Sequence, residues 1–99
     1  MGRGRPKKTR IIAQEPAIRQ FSPRGRIGRP GSTDLKKDEY EAIRLADHKR
    51  LRQAEAAARM HISQQTFSRI LRSAHKNIAQ ALIDGSIIRI SGGDYSIEK

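Results

Sequence analysis

The 99 residues contain no cysteine and no tryptophan, and only two phenylalanines and two tyrosines. Without thiols there is no disulfide, thiolate metal site or cysteine nucleophile, so apolar packing and hydrogen bonds must hold the fold. The apolar runs, such as Ile11-Ile12-Ala13 and Ala81-Leu82-Ile83, are too short to span a bilayer. No apolar stretch of signal-peptide type follows the basic start, so the expectation is a cytoplasmic protein with no membrane partner. So few aromatic rings leave little surface for stacking single-stranded bases, which favours duplex DNA over RNA if the partner is a nucleic acid.

A chain this short has room for one compact domain and none for a large catalytic scaffold. No enzyme activity and no cofactor are expected. Asp38, Glu39 and Glu41 read as a solvated face that complements a helix dipole, not as an acid-base pair. His48, His61 and His75 have no carboxylate or thiolate neighbours at metal-ligand spacing, and the glycines at 25, 28 and 31 are not followed by the lysine-hydroxyl pair of a phosphate loop.

What the chain has in excess is positive charge, +11 in all. Through Lys37 there are eleven Lys or Arg against Glu15 and Asp34, a net +9; from Asp38 onward ten basic residues face eight acidic ones, a net +2. A cationic arm therefore precedes a nearly balanced domain, and each phosphate the arm neutralises releases condensed counterions. The boundary is placed at residue 34: residues 1–34 hold all four prolines and five of the eight glycines and read as a flexible, largely extended basic arm, and 35–99 form the folded domain. Within the arm, Arg10 to Ala13 can form a short strand if the domain offers it an edge.

Three helices follow from apolar spacing. Tyr40, Ile43 and Ala46, with Ala42 beside them, predict a first helix over Lys37 to His48, and Ala56, Ala57 and Met60 predict a short second one over Gln53 to Met60. The pattern breaks at His61 and restarts at Ser63, a good N-cap, with Ile62 and Phe67 in the two positions of a hydrophobic staple. Phe67, Ile70, Leu71, Ala74, Ile78, Ala81 and Leu82 then make one apolar face of a third helix that Asp84-Gly85 ends. Two helices joined by so short a turn make a helix-turn-helix. Ile87 to Ile90 and Tyr95 to Ile97, separated by Ser91-Gly92-Gly93-Asp94, predict a small C-terminal β-hairpin.

In a helix-turn-helix the first turns of the second helix lie in the major groove, so the candidate reading residues are Ser63, Gln64, Gln65, Thr66, Ser68, Arg69 and Arg72. Glutamine can pair with adenine and arginine with guanine, while short hydroxyls meet base edges or phosphates. No acidic residue occurs from Gln64 to Gln80 to repel phosphate. In the arm, Gly2-Arg3-Gly4-Arg5-Pro6-Lys7-Lys8 resembles an AT-hook, so Arg3, Arg5, Lys7 and Lys8 are candidate contacts to the minor groove or its phosphates.

The run Glu41-Ala42-Ile43-Arg44-Leu45-Ala46-Asp47, then Gln53 with Glu55-Ala56-Ala57, Ser63, Thr66-Phe67, Arg69-Ile70-Leu71, Gly85, Ile90 and Gly92-Gly93 resembles a small prokaryotic family of predicted DNA-binding proteins of unknown function. The central part of that family is similar to region four of sigma factors. The resemblance implies a helix-turn-helix with Ser63 to Arg72 facing DNA, and it implies no catalysis. This chain departs from the family in lacking the cysteines and acidic stretch often found in its N-terminal part, and in placing His61 where glycine is usual in the turn. A left-handed His61 is therefore expected.

The resulting expectation is a mainly α protein that binds double-stranded DNA sequence-specifically and regulates transcription at the nucleoid. A basic RNA-binding or ribosome-associated protein and an adaptor contacting RNA polymerase are the alternatives. Helix-turn-helix proteins commonly pair, and the strand from Ile87 to Ile90 is a candidate edge for a homodimer.

Overall fold

The computed structural model describes residues 9–25 and 28–98. Five short strands and three helices follow one another: β1 (Arg10–Ile12), β2 (Gln20–Phe21), β3 (Ser32–Leu35), α1 (Lys37–Ile43), α2 (Gln53–Arg59), α3 (Gln64–Asp84), β4 (Ile87–Ile90) and β5 (Tyr95–Ile97). A π-helical turn over Arg44–His48 continues α1, with the Lys49 N–H donating to the Arg44 carbonyl at 2.8 Å. No helix among the described residues is long and apolar enough to cross a membrane.

The first half of α3 packs on α1 and α2. Phe67, Ile70 and Leu71 meet Ala42, Leu45, Ala56, Ala57 and Met60 in one buried cluster. The alanines of α2 let the helices approach closely, and Phe67 is fully buried there. Further along α3 the apolar face turns from helices to sheet, where Ala74 packs with Leu35 and Ile90. The seam ends sooner than its periodicity predicts: Ala81 is buried, but Leu82, its last expected member, is 72% exposed and Ile83 beside it 86%. Gly85, left-handed at φ 65°, then closes the helix.

The expected C-terminal hairpin does not form. β4 is the centre of a three-stranded sheet, antiparallel to β2 and parallel to β3, while β5 pairs in parallel with β1 in a separate two-stranded sheet. With both edges of β4 occupied, β5 has no place beside it, and no edge of β4 remains for a second copy of the chain. Gly92 and Gly93, at φ 73° and 95°, carry the chain across the start of α1 instead of reversing it, and the Lys37 N–H donates to the Gly92 carbonyl at 3.1 Å.

The basic N-terminal segment is extended from residue 9, yet it supplies β1, β2 and β3. β1 also ties to the end of α2 through the Ile11 N–H and the Met60 carbonyl, 3.0 Å apart.

Candidate nucleic-acid interface

α2 ends at Arg59, and the chain turns through Met60, His61 and Ile62 to Ser63. His61 is left-handed at φ 59°, as expected of a residue standing where glycine is usual. Ile62 and Phe67 are both buried on either side of the cap, as the staple requires. Ser63 caps α3: its Oγ accepts the Thr66 N–H at 3.1 Å and donates to Thr66 Oγ1 at 2.9 Å. The hydroxyls of Ser63 and Thr66 are thereby engaged with each other, and both residues serve the helix start.

The remaining candidates on α3 do come together. Gln65, Arg69 and Arg72 stand at i, i+4 and i+7 and so share a face, with Gln64 and Ser68 beside them. Gln64, Gln65, Arg69 and Arg72 are exposed and Ser68 is half-buried. Arg3, Arg5, Lys7 and Lys8 lie outside the described residues.

Beside this face is a cleft of about 280 Å³ whose lining includes Arg69, Thr66 and Ser73 of α3, Arg10 of β1 and Lys36 just before α1. Three cations from distant parts of the chain therefore border one depression. Arg10 and Lys36 could not be singled out from the sequence, where they are two of many basic residues with no periodicity linking them to α3. Arg10 is fixed by Asp94, with Nη1 3.1 Å from Oδ2, and its Nε lies 3.9 Å from Asp38 Oδ2.

The carboxylates of α1 correct the expectation of a solvated acidic face. Asp38, Glu39 and Glu41 are all buried, because the helix turns them toward α3, β1 and the glycine loop instead of toward solvent. Glu39 accepts the Lys36 N–H at 2.9 Å and the Ser73 hydroxyl at 2.6 Å, and Asn77 reaches both of its oxygens. Glu41 holds Arg44 in a two-point pair at 2.8 and 2.9 Å and accepts the Ala13 N–H at 3.1 Å. Glu41 in turn raises the Arg44 guanidinium above its ordinary value.

Burial pushes the Asp38 carboxyl up, against the pull of the Glu39 N–H and Arg10. Asp38 and Glu39 line the cleft without opening it to solvent as free negative charge. On the opposite flank of α3, His75 Nε2 sits 2.6 Å from Asp47 Oδ2, a carboxylate neighbour that sequence spacing did not reveal. Around the start of α1, Lys37 bridges Glu15 at 2.6 Å and donates to the Tyr95 hydroxyl at 2.9 Å. The Lys37 hydrogen bond, followed by that from Tyr95, lowers the Glu15 carboxyl.

Fold and site together define a small three-helix domain braced by two short sheets, presenting a polar and basic helix face beside a cleft that Arg10, Lys36 and Arg69 line together with the carboxylates of Asp38 and Glu39. The chain belongs to the family described as "Protein of unknown function DUF134", whose model matches residues 1–98. It is 48% identical over 90 residues to a UPF0251 protein of Syntrophobacter fumaroxidans, covering 90% of this chain and 58% of the relative. A UPF0251 protein of Halothermothrix orenii is 44% identical over 96 residues, covering 96% of this chain and 71% of the relative. The archaeal UPF0251 protein MmarC7_1642 of Methanococcus maripaludis is 42% identical over 98 residues, covering 98% and 75%. The chain thus spans under two thirds of the Syntrophobacter relative and about three quarters of the Methanococcus one. No solved structure matches it.

Proposed function

We propose that the chain binds double-stranded DNA in a sequence-dependent manner and acts in transcriptional regulation, α2, the His61 turn and α3 forming a helix-turn-helix of sigma region-four type. The observation that carries this reading is the outward face of α3: Gln64, Gln65, Arg69 and Arg72 stand exposed directly after a tight turn, on a helix without an acidic residue until Asp84. Such side chains suit the base edges of a major groove. Exposed Lys36 suits a flanking phosphate, a contact that sets register and salt dependence, whereas Arg10 is held by Asp94. Arg3, Arg5, Lys7 and Lys8 extend the same charge toward the backbone or minor groove. No catalytic step is assigned to the chain, and its place of action on this reading is the nucleoid.

Selection of bound sequences from random duplexes, followed by competition of the selected duplex against structured RNA at fixed salt, tests the proposal. A recovered consensus that outcompetes RNA is the expected result. Preference for RNA favours the RNA-binding alternative. Co-purification with RNA polymerase that survives nuclease, without any selected sequence, favours the adaptor. The arm is best tested by replacing Arg3, Arg5, Lys7 and Lys8 with alanine, since a deletion reaching residue 12 would remove β1.

A further inference from the structure

We propose that a cavity between α1, α3 and the three-stranded sheet is a binding site for a small, flat, apolar molecule bearing a single anionic group. The cavity measures about 440 Å³. Pockets that hold small molecules run from about 300 to 1,000 Å³ and are mostly apolar with a few placed polar groups. Here the walls are the rings of Phe21 and Tyr40 and the branched side chains of Ile43, Ile78 and Ile88. The space is a groove open to the surface and not an enclosed void, with Phe21 54% exposed on the two-residue strand β2.

The polar members of the lining are Arg44 and His48, the first and last residues of the π-helical turn. Such turns are rare and concentrate at functional sites, because an i to i+5 closure costs packing within the helix. Here it sets both side chains along one wall of an otherwise apolar space. Arg44 commits Nε and Nη2 to Glu41, leaving Nη1 without a hydrogen bond among the described residues, and His48 has no partner among them either. Glu41 compensates the charge of Arg44, so the wall offers donors without a large net positive charge. That combination suits one carboxylate or sulfonate on an aromatic body, and it does not suit a polyanion such as the nucleic acid proposed for the outer face of α3.

The test uses the full chain and two fluorescent probes, 1-anilinonaphthalene-8-sulfonate and its uncharged relative N-phenyl-1-naphthylamine, with molar mass followed by light scattering. Saturable binding of one sulfonate per chain is expected. Ile78→Trp fills the cavity and should weaken both probes at least about tenfold, and Ile88→Phe does the same from the sheet side should the first variant not fold. His48→Ala, at an exposed position, should weaken the sulfonate about threefold more than the neutral probe. Unsaturable binding, or unchanged binding in a folded filled variant, overturns the proposal. So does a dimer that excludes the probes and dissociates on filling the cavity, since a second copy would then be the occupant. Neither result bears on DNA binding, which is measured separately.

Discussion

Ser73 of α3 donates a 2.6 Å hydrogen bond to Glu39 of α1, a carboxylate only 4% exposed, and so pins the outer face of α3 to the first helix. Asn77, one turn further on, donates to the same carboxylate at 3.3 Å. Without the Ser73 hydroxyl this buried carboxylate keeps the Lys36 N–H and the longer Asn77 contacts but loses its shortest hydrogen bond, so Ser73→Ala should lower unfolding free energy by about 1–3 kcal/mol. Ser68→Ala, half-buried but outside this network, should cost about 0.5 kcal/mol or less. Urea unfolding of both variants measures the contrast; equal losses would mean that Glu39 does not depend on Ser73.

The glycine loop makes a second prediction. A Cβ on Gly93 would stand 2.8 Å from Asp38 Oδ1 and 3.1 Å from Lys36 Cβ, on a backbone at φ +95°. Gly93→Ala should therefore destabilise by about 2–3 kcal/mol, combining backbone strain with a clash at the start of α1. Gly92, at φ +73° with nothing within 4 Å of its added Cβ, should lose only the backbone part, about 1 kcal/mol, on the same change. Thermal unfolding of the two alanine variants should separate them by several degrees.

His61 lies at φ 59° without a hydrogen-bonded side chain among the described residues. A left-handed non-glycine residue costs about 1–2 kcal/mol, and glycine returns about 0.5–1 kcal/mol of that through the freer unfolded chain. His61→Gly should thus raise stability by about 0.5–1 kcal/mol and leave any DNA affinity unchanged. A fall in melting temperature would show that the imidazole makes a contact worth more than the strain.

Two carboxyls give pH effects of opposite sign. Glu15 is held below its ordinary 4.5, so its contribution is present above that value and is lost as pH falls through the lower folded value. Asp38 is held above 3.8, so the folded state favours its protonated form, and its contribution weakens as pH rises through the folded value. Glu15→Gln should remove part of the acid-side loss of stability. The stability of the natural chain relative to Asp38→Asn should increase as pH is lowered, as measured by urea unfolding between about pH 3 and 7.

If the outer face of α3 reads DNA, Arg69→Ala should cost about 1–3 kcal/mol at the preferred site and relax its consensus. Lys36→Ala should weaken all sequences alike and reduce the slope of log K against log salt by about one. Fluorescence anisotropy across a salt series distinguishes the two. An unchanged slope for Lys36→Ala would take the cleft out of the interface.

The three helices, the cap at Ser63 and the stop at Gly85 were legible in the sequence because each depends on neighbours three or four residues away, whereas the left-handed His61 followed from the resemblance to a family with glycine at that place. Periodicity, capping chemistry and turn residues act at that range, and they also set which side of α3 carries Gln65, Arg69 and Arg72. What only the tertiary structure decided is which distant segments meet. β5 chose β1 over β4 because β2 and β3 already held both edges of β4. The acidic residues of α1 went inside because partners for them, Ser73, Asn77, Arg10 and the Ala13 N–H, arrive from elsewhere in the chain. The cleft flanked by Arg10, Lys36 and Arg69 arises in the same way. Pairing across such separations is set by edge availability and by the cost of burying an unpartnered charge, and a local pattern carries neither.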